Sequence, residues 1–226
     1  MKKKAILLTV VFLFSTGLLA QAQDGGVSGT VDLTYQSKYI WRGFDVYGND
    51  SAIQMGADLK LADTGYGMKA FWSRANESGF ENLEEFDITL YFNNLVYEDE
   101  MYAMNYTFAW TYYSYPDEPK TVRNFQEFLL SLAFPKICPA GFVPNYTIIR
   151  MWPAKSGAAL NDNGGWLHIL GIGYDTTLPP LVPELSEQVL HLSGSLVYNG
   201  GVGAAYVPLN GSVDHDWSHF LLSAST

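Results

Sequence analysis

The sequence predicts an all-β protein, an antiparallel up-and-down transmembrane β-barrel. Three observations support this fold class: an export signal at the start of the chain, long runs in which apolar and polar residues alternate, and a composition rich in aromatic residues. Aromatic residues make up 15% of the 226 residues and charged residues only 16%. We expect about ten strands in this sequence and about twelve in the full-length protein.

The first 22 residues have the three parts of a secretory signal peptide. Lysines occupy positions 2–4, an apolar block extends from Ala5 to Leu19, and Ala20-Gln21-Ala22 forms a cleavage site of small residues. The apolar block is short for a membrane-spanning helix of about 20 residues, which argues against an uncleaved anchor. We therefore expect an exported protein in which residues 23–226 form the barrel domain.

The charge balance limits the possible partners. Subtracting the three lysines of the signal from the 13 basic residues leaves 10, against 23 acidic residues. A strongly acidic chain repels phosphate backbones, so nucleic acid is excluded as a partner. Cys138 is the only cysteine and has no partner for an intrachain disulfide, so stability must come from packing and hydrogen bonding.

The alternation of apolar and polar residues starts near the beginning of the predicted mature chain. From Val27 to Arg42 the odd positions are largely apolar or aromatic and the even positions largely polar, which is typical of a strand with two different faces. The run is far longer than the about 5–6 residues of an ordinary soluble strand. A strand that crosses a membrane needs about 9–11 residues plus its ends.

Nine further segments of strand length follow. Four keep the alternation clearly: Ile53–Leu61, Met68–Ser73, Glu85–Phe92 and Tyr102–Tyr112. Five are less regular: Phe125–Phe134, Phe142–Trp152, Trp166–Tyr174, Val189–Tyr198 and Trp217–Thr226. In the second group Leu129, Ile149 and Ile169 are apolar residues at positions where the pattern calls for polar ones.

Aromatic residues gather at one end of the predicted strands. If the first strand runs outward, all six tryptophans fall at the outer end, and the outer loops are longer on average than the inner turns. Indole and phenol rings settle where hydrocarbon meets lipid headgroups. We therefore predict a lipid-facing girdle formed by Tyr39, Trp41, Trp72, Trp110, Tyr112, Trp152, Trp166, Tyr198 and Trp217.

Charged residues of both signs share the opposite, inward face. We predict that the lumen is lined by Asp32, Lys38, Arg42, Asp58, Lys60, Lys69, Glu85, Asp87 and Glu127. We expect Arg42 to pair with an inward carboxylate such as Asp58 or Glu85. Two interpretations stay open: ion pairs that plug a narrow barrel, or a water-filled pore biased by charge. Small inward residues such as Thr107 and Ser193 leave room and favour water.

No motif indicates catalysis, a cofactor or a metal. His215 and His219 would share a helical face, but on a strand they lie about 13 Å apart at the rise of about 3.3 Å per residue. We therefore interpret this segment as a solvated loop that leads into a strand. The Gly-x-Ser-x-Gly elbow is absent, and no cleft accompanies the paired carboxylates Glu85 and Asp87. We predict that the protein is not an enzyme.

The segment "VSGTVDLTYQSKYIWRGFDVYGNDSAIQMGADL" resembles the start of the TorF family of predicted outer-membrane porins. In that family the first strand ends in an aromatic-x-Arg-Gly motif, and a short loop leads to a second strand carrying Gln and Gly. The matching residues here are Ser37, Tyr39, Trp41, Arg42, Gly43, Gln54 and Gly56. The resemblance implies a barrel that acts as a pore. Outer-membrane barrels usually end in an aromatic residue and this sequence ends in "SAST", so we expect a truncated sequence lacking about one hairpin.

The leading functional prediction is a porin of the bacterial outer membrane. It would let small hydrophilic solutes diffuse passively, with a mild preference for cations, and its partners would be outer-membrane lipid and the barrel-assembly machinery. One alternative is a non-conducting barrel with a structural or adhesive role. Another is a secreted, soluble β-sandwich. Nothing in the sequence identifies the solute, the oligomeric state or a role for Cys138.

Overall fold

The computed structural model describes residues 14–18, 26–42, 44–76, 84–117, 124–154, 164–179, 188–202 and 215–225. The regular secondary structure of this part of the chain is strand, apart from short 3₁₀ turns at Ala62–Thr64 and Pro139–Gly141. No helix in it is long and apolar enough to cross a membrane. The strands are β1 (Phe14–Leu18), β2 (Val27–Gln36), β3 (Ile40–Trp41), β4 (Phe44–Asp45), β5 (Ala52–Leu61), β6 (Tyr66–Ala75), β7 (Glu84–Val96), β8 (Met104–Ser114), β9 (Phe125–Ala133), β10 (Phe142–Pro153), β11 (Trp166–Leu178), β12 (Gln188–Gly200) and β13 (Asp216–Ser225).

One antiparallel sheet contains all of these strands except β3 and β4. Its order is β1-β2-β5-β6-β7-β8-β9-β10-β11-β12-β13, so each strand pairs with its neighbours in sequence. The predicted all-β, antiparallel, up-and-down class is therefore confirmed, and the ten predicted strands correspond to β2 and β5–β13. Within the described residues the sheet is open, with β1 and β13 at its two edges.

Strand β1 was not predicted. It lies within the segment predicted as a signal peptide, of which the structure describes only residues 14–18, and it pairs with β2 from Phe14↔Tyr35 to Leu18↔Val31. Cleavage of that peptide stays a prediction. Removal of β1 would leave β2 as the edge strand of the sheet.

The first predicted strand is shorter than the alternation indicated. Strand β2 ends at Gln36, a bend follows at Ser37 and Lys38, and the chain then forms the separate small hairpin β3–β4. Arg42, at the turn of this hairpin, has a φ of 49°. Residues 39–47 fold over the sheet and are called the inner segment below.

The sheet curves around the inner segment. Side chains of this segment contact Phe71 on β6, Tyr113 on β8 and Phe125 on β9, and the Arg42 backbone lies close to His219 on β13. One short segment can reach strands so far apart in the sheet only if the sheet bends towards it. The side that faces the inner segment is the inner face, and the other side is the outer face.

The outer face is rich in exposed apolar side chains. Neighbouring strands place them in cross-strand pairs such as Leu33↔Met55 and Leu90↔Trp110. Val31 is 60% exposed and Leu222 is 64% exposed, although both are large hydrophobic residues. Their positions alternate along each strand with the polar residues of the inner face, as the period of two predicts.

Two apolar clusters lie on the inner face at the end where the inner segment folds over. The larger contains Ile149, Met151, Leu167 and Val197 with aromatic residues of β8 and β9, and the smaller contains Tyr39, Tyr47, Ala52 and Ala75. Trp41 packs against both clusters. This end of the concave side is therefore a packed core.

Candidate functional site

The inner segment is tied at its base by polar contacts. Lys38 Nζ lies 2.9 Å from Asp45 Oδ2 and donates to Asn49 Oδ1 at 2.7 Å. The backbone N–H of Val46 donates to the carbonyl of Tyr39 at 2.9 Å. These bonds close residues 38–49 into a compact loop whose tip carries Arg42.

Arg42 binds a carboxylate across the inner face. Its Nη1 and Nη2 donate to Glu127 Oε2 and Oε1 at 2.8 and 2.7 Å, in the two-pronged geometry that guanidinium and carboxylate groups favour. Both groups are removed from solvent, since the side chains are 16% and 2% exposed. The Arg42 guanidinium also lies 4.3 Å from the centre of the Trp41 ring.

This contact corrects the expected partner of Arg42. The sequence predicts an inward carboxylate such as Asp58 or Glu85, whereas the structure gives Glu127, which lies 85 positions further along the chain. Asp58 instead accepts a hydrogen bond from Tyr91 Oη at 2.6 Å and lies 3.6 Å from Lys69 Nζ. The pairing follows from the curvature of the sheet, which brings β9 under the hairpin.

Aromatic rings hold the rest of the inner segment. The Tyr39 ring lies 5.4 Å from Tyr47 and 6.2 Å from Phe71, and the Trp41 ring lies 5.9 Å from Tyr113. Tyr47 Oη donates to Ser73 Oγ at 3.1 Å. The segment is therefore anchored on both sides of the curved sheet.

Two further buried carboxylates lie near the tip. Glu85 and Asp87 are 3% and 7% exposed. Burial, followed by the charges of these two residues, raises the pKa of the Tyr39 phenol far above its usual range. Burial, the largest single effect, would lower the pKa of Arg42, but the charge and hydrogen bonds of Glu127 together with Tyr113 outweigh it, and the net pKa is raised. The arrangement thus places one permanent cation among three acidic side chains.

The remaining residues predicted to line the lumen lie on the inner face away from this cluster, except for Lys38, which belongs to the base of the loop. Asp32, Lys60 and Lys69 are exposed, and Asp58 is partly exposed. Asp32 faces Gly56 across β2 and β5, and any side chain at position 56 would collide with its carboxylate. The inner face therefore has a packed end and an open, polar end.

The structure contradicts the predicted positions of two residues of the girdle. Tyr39 is buried and Trp41 packs on the inner face, so the prediction that both face lipid is wrong: the chain leaves the sheet at Ser37 and turns inward. The other seven lie on the outer face, near the strand ends that adjoin the inner segment: Trp72, Trp110, Tyr112, Trp152, Trp166, Tyr198 and Trp217.

Several residues that contact the inner segment were not predicted from the sequence. Tyr47 and Ser73 join the inner segment to β6, while Tyr113 and Phe125 stack with ring centres 4.2 Å apart under Trp41. A signal for them existed: the irregular residue Ile149 is fully buried in the larger cluster. An apolar residue on a polar face indicates that something apolar covers it.

The described residues contain no group of three His, Cys, Asp or Glu side chains able to hold a metal ion. His219 lies on β13 and His215 directly before that strand. Gly43 of the aromatic-x-Arg-Gly motif lies outside the described residues.

No known protein family, curated protein or solved structure matches this chain. The resemblance to TorF-family porins stays a prediction.

Proposed function

We propose that the chain is a β-barrel protein of a bacterial outer membrane, exported through a cleaved signal peptide. It lets small hydrophilic solutes diffuse through its interior, with a mild preference for cations, and the inner segment narrows one end of the path. No residue needs to perform covalent chemistry.

The exposed apolar outer face carries the membrane part of this proposal. Large hydrophobic residues from β2 to β13 remain 37% or more exposed, among them Leu59, Leu90, Ile172 and Phe220. In water a continuous apolar surface of this kind promotes aggregation, whereas lipid tails cover it without penalty. The seven aromatic residues near one end of the outer face suit the boundary between tails and headgroups.

The polar end of the inner face supports a path for solutes. Asp32 and Lys60 are exposed there, and small residues such as Gly171, Gly173 and Ser193 lie on the same face. The acidic excess of the chain favours cations over anions. The cluster around Arg42 then forms the narrowest part.

The buried contact between Arg42 and Glu127 favours a second candidate, a non-conducting barrel with a structural or adhesive role. A segment held by this pair and by two apolar clusters fills the concave side at its end. If the segment never moves, solutes do not pass.

Two measurements test the proposal in sequence. A membrane barrel remains in the detergent-extracted fraction and changes its gel mobility on heating, whereas a protein that stays in aqueous solution without detergent refutes the membrane assignment. Planar bilayers then test the pore: we expect small, discrete openings with a reversal potential that indicates cation preference.

A matched variant separates the two candidates. Replacing residues 39–47 with a Gly/Ser linker of equal length removes the inner segment and should raise the conductance several-fold. If neither the original nor the linker variant conducts while both show heat-modifiable mobility, the non-conducting barrel is the correct function.

A further inference from the structure

The outer face of β10–β13 carries a groove whose mostly apolar lining includes a hydroxyl and an imidazole. The groove has a volume of about 290 Å³ and is lined by Tyr146, His168, Leu170, Tyr198 and Trp217. Tyr146 Oη and His168 Nδ1 are 2.7 Å apart, and the Tyr198 and Trp217 rings meet edge to face with centres 5.6 Å apart. An imidazole stands out on a surface that presents mainly aliphatic and aromatic side chains to its surroundings.

A cation, Arg150, lies beside the groove. Arg150 pairs across the strands with Trp166, two residues before His168, and its guanidinium is 5.5 Å from the centre of the Trp166 ring. The other described arginine of the outer face, Arg74, lies 3.8 Å from Glu84. No ion pair among the described residues includes Arg150, and its Nη1 donates to the carbonyl of Met151 at 3.1 Å.

The surface that leads away from the groove is apolar and furrowed. Leu170 pairs with Leu196, which pairs with Phe220, and all three side chains are more than 40% exposed. In the next row Gly194 stands between Ile172 and Leu222 and contributes no side chain. The missing side chain leaves a shallow furrow bordered by Leu222 and Phe220, whose atoms lie 3.4 and 3.8 Å from where a Cβ at Gly194 would stand.

We propose that this region is a binding site for a phospholipid with an anionic headgroup. Arg150 and His168 hold the phosphate, the groove rings pack around the glycerol and upper acyl carbons, and one acyl chain lies in the furrow at Gly194. The order of these features along the strands matches that of the lipid: charge at the aromatic end, hydrocarbon beyond it. This inference rests on the proposed membrane location.

The test uses the detergent-solubilised protein with equal amounts of phosphatidylglycerol and phosphatidylcholine, and native mass spectrometry counts the lipids that remain bound. We expect phosphatidylglycerol to be retained in preference. Arg150→Gln should reduce its retention about tenfold, since a charge-assisted hydrogen bond is lost. Arg150→Lys should keep most of it, and the matched control Arg74→Gln should leave it unchanged.

The outcomes are distinguishable. The headgroup site is overturned if the original protein retains the two lipids equally, or if Arg150→Gln and Arg74→Gln reduce the retention of phosphatidylglycerol equally. In either case heat-modifiable mobility on gels still supports the barrel. Preferred retention of phosphatidylcholine also overturns it, because the rings would then be recognising a quaternary amine. A protein that needs no detergent refutes the membrane location and this inference together.

Discussion

Removing one partner of the Arg42–Glu127 pair should weaken the fold strongly. Arg42→Met leaves the Glu127 carboxylate, 2% exposed, without its two hydrogen bonds of 2.7 and 2.8 Å and near the buried acids Glu85 and Asp87. Loss of one partner of a buried ion pair typically lowers the free energy of unfolding by about 3–5 kcal/mol. We expect this range for Arg42→Met and for Glu127→Leu.

The double variant Arg42→Met/Glu127→Leu should behave differently. It removes both charges and leaves side chains of similar volume among Trp41, Tyr113 and Phe125, so we expect its free energy of unfolding to lie within about 1 kcal/mol of the original. Lys38→Met is the control: the Lys38–Asp45 pair belongs to the same loop, but Lys38 is 29% exposed, and its loss should cost at most about 1 kcal/mol.

Urea unfolding in detergent micelles, followed by tryptophan fluorescence, measures all four variants. If the free energy of unfolding of the double variant falls by as much as the two single variants combined, the two side chains do not act as a pair. Equal decreases in the free energy of unfolding for Lys38→Met and Arg42→Met would also contradict the prediction, since burial would then have no effect on the strength of these pairs.

Three further predictions concern other parts of the chain. Leu90→Arg places a charge on the exposed outer face and should reduce insertion into lipid vesicles, at a cost of about 2–4 kcal/mol if the position lies near the midplane, whereas an unchanged yield would contradict a lipid-facing surface. Gly67→Ala should lower the free energy of unfolding by about 1–3 kcal/mol, because the new methyl group would collide with the Tyr91 ring; a neutral effect in the same urea assay would contradict this packing. Amino-terminal sequencing of the exported protein should begin near Gln23, and a chain that retains Met1 would exclude cleavage.

The strands and their two faces could be predicted because they depend on local chemistry. Successive side chains of a strand point to opposite sides, so the alternation around Leu59 or Leu90 identifies both the strand and its apolar face. Pairing between sequence neighbours then requires only short connections, as between β5 and β6. These features need no knowledge of distant contacts.

The end of the first strand could not be predicted in the same way. The alternation continues unchanged from Tyr35 to Arg42, yet the chain leaves the sheet at Ser37. A hairpin keeps the same alternation as the strand it replaces, so periodicity alone cannot distinguish them. The inward position of Tyr39 and Trp41 depends on long-range packing, which the sequence indicates only through apolar residues such as Ile149 on the polar face.

The partner of Arg42 raises a related question of why a charged pair occupies an apolar core. Aromatic contacts alone would hold the inner segment, and apolar residues of similar size would be as stable or more so. Trp41 meets Tyr113 and Phe125 edge to face, which fixes its orientation only loosely. The two parallel hydrogen bonds between Arg42 and Glu127 fix both distance and orientation. We infer that the pair sets the position of the inner segment over β9, and that its contribution to stability is secondary. Variants with an apolar pair should therefore stay folded but conduct with a broader spread of open levels than the original protein.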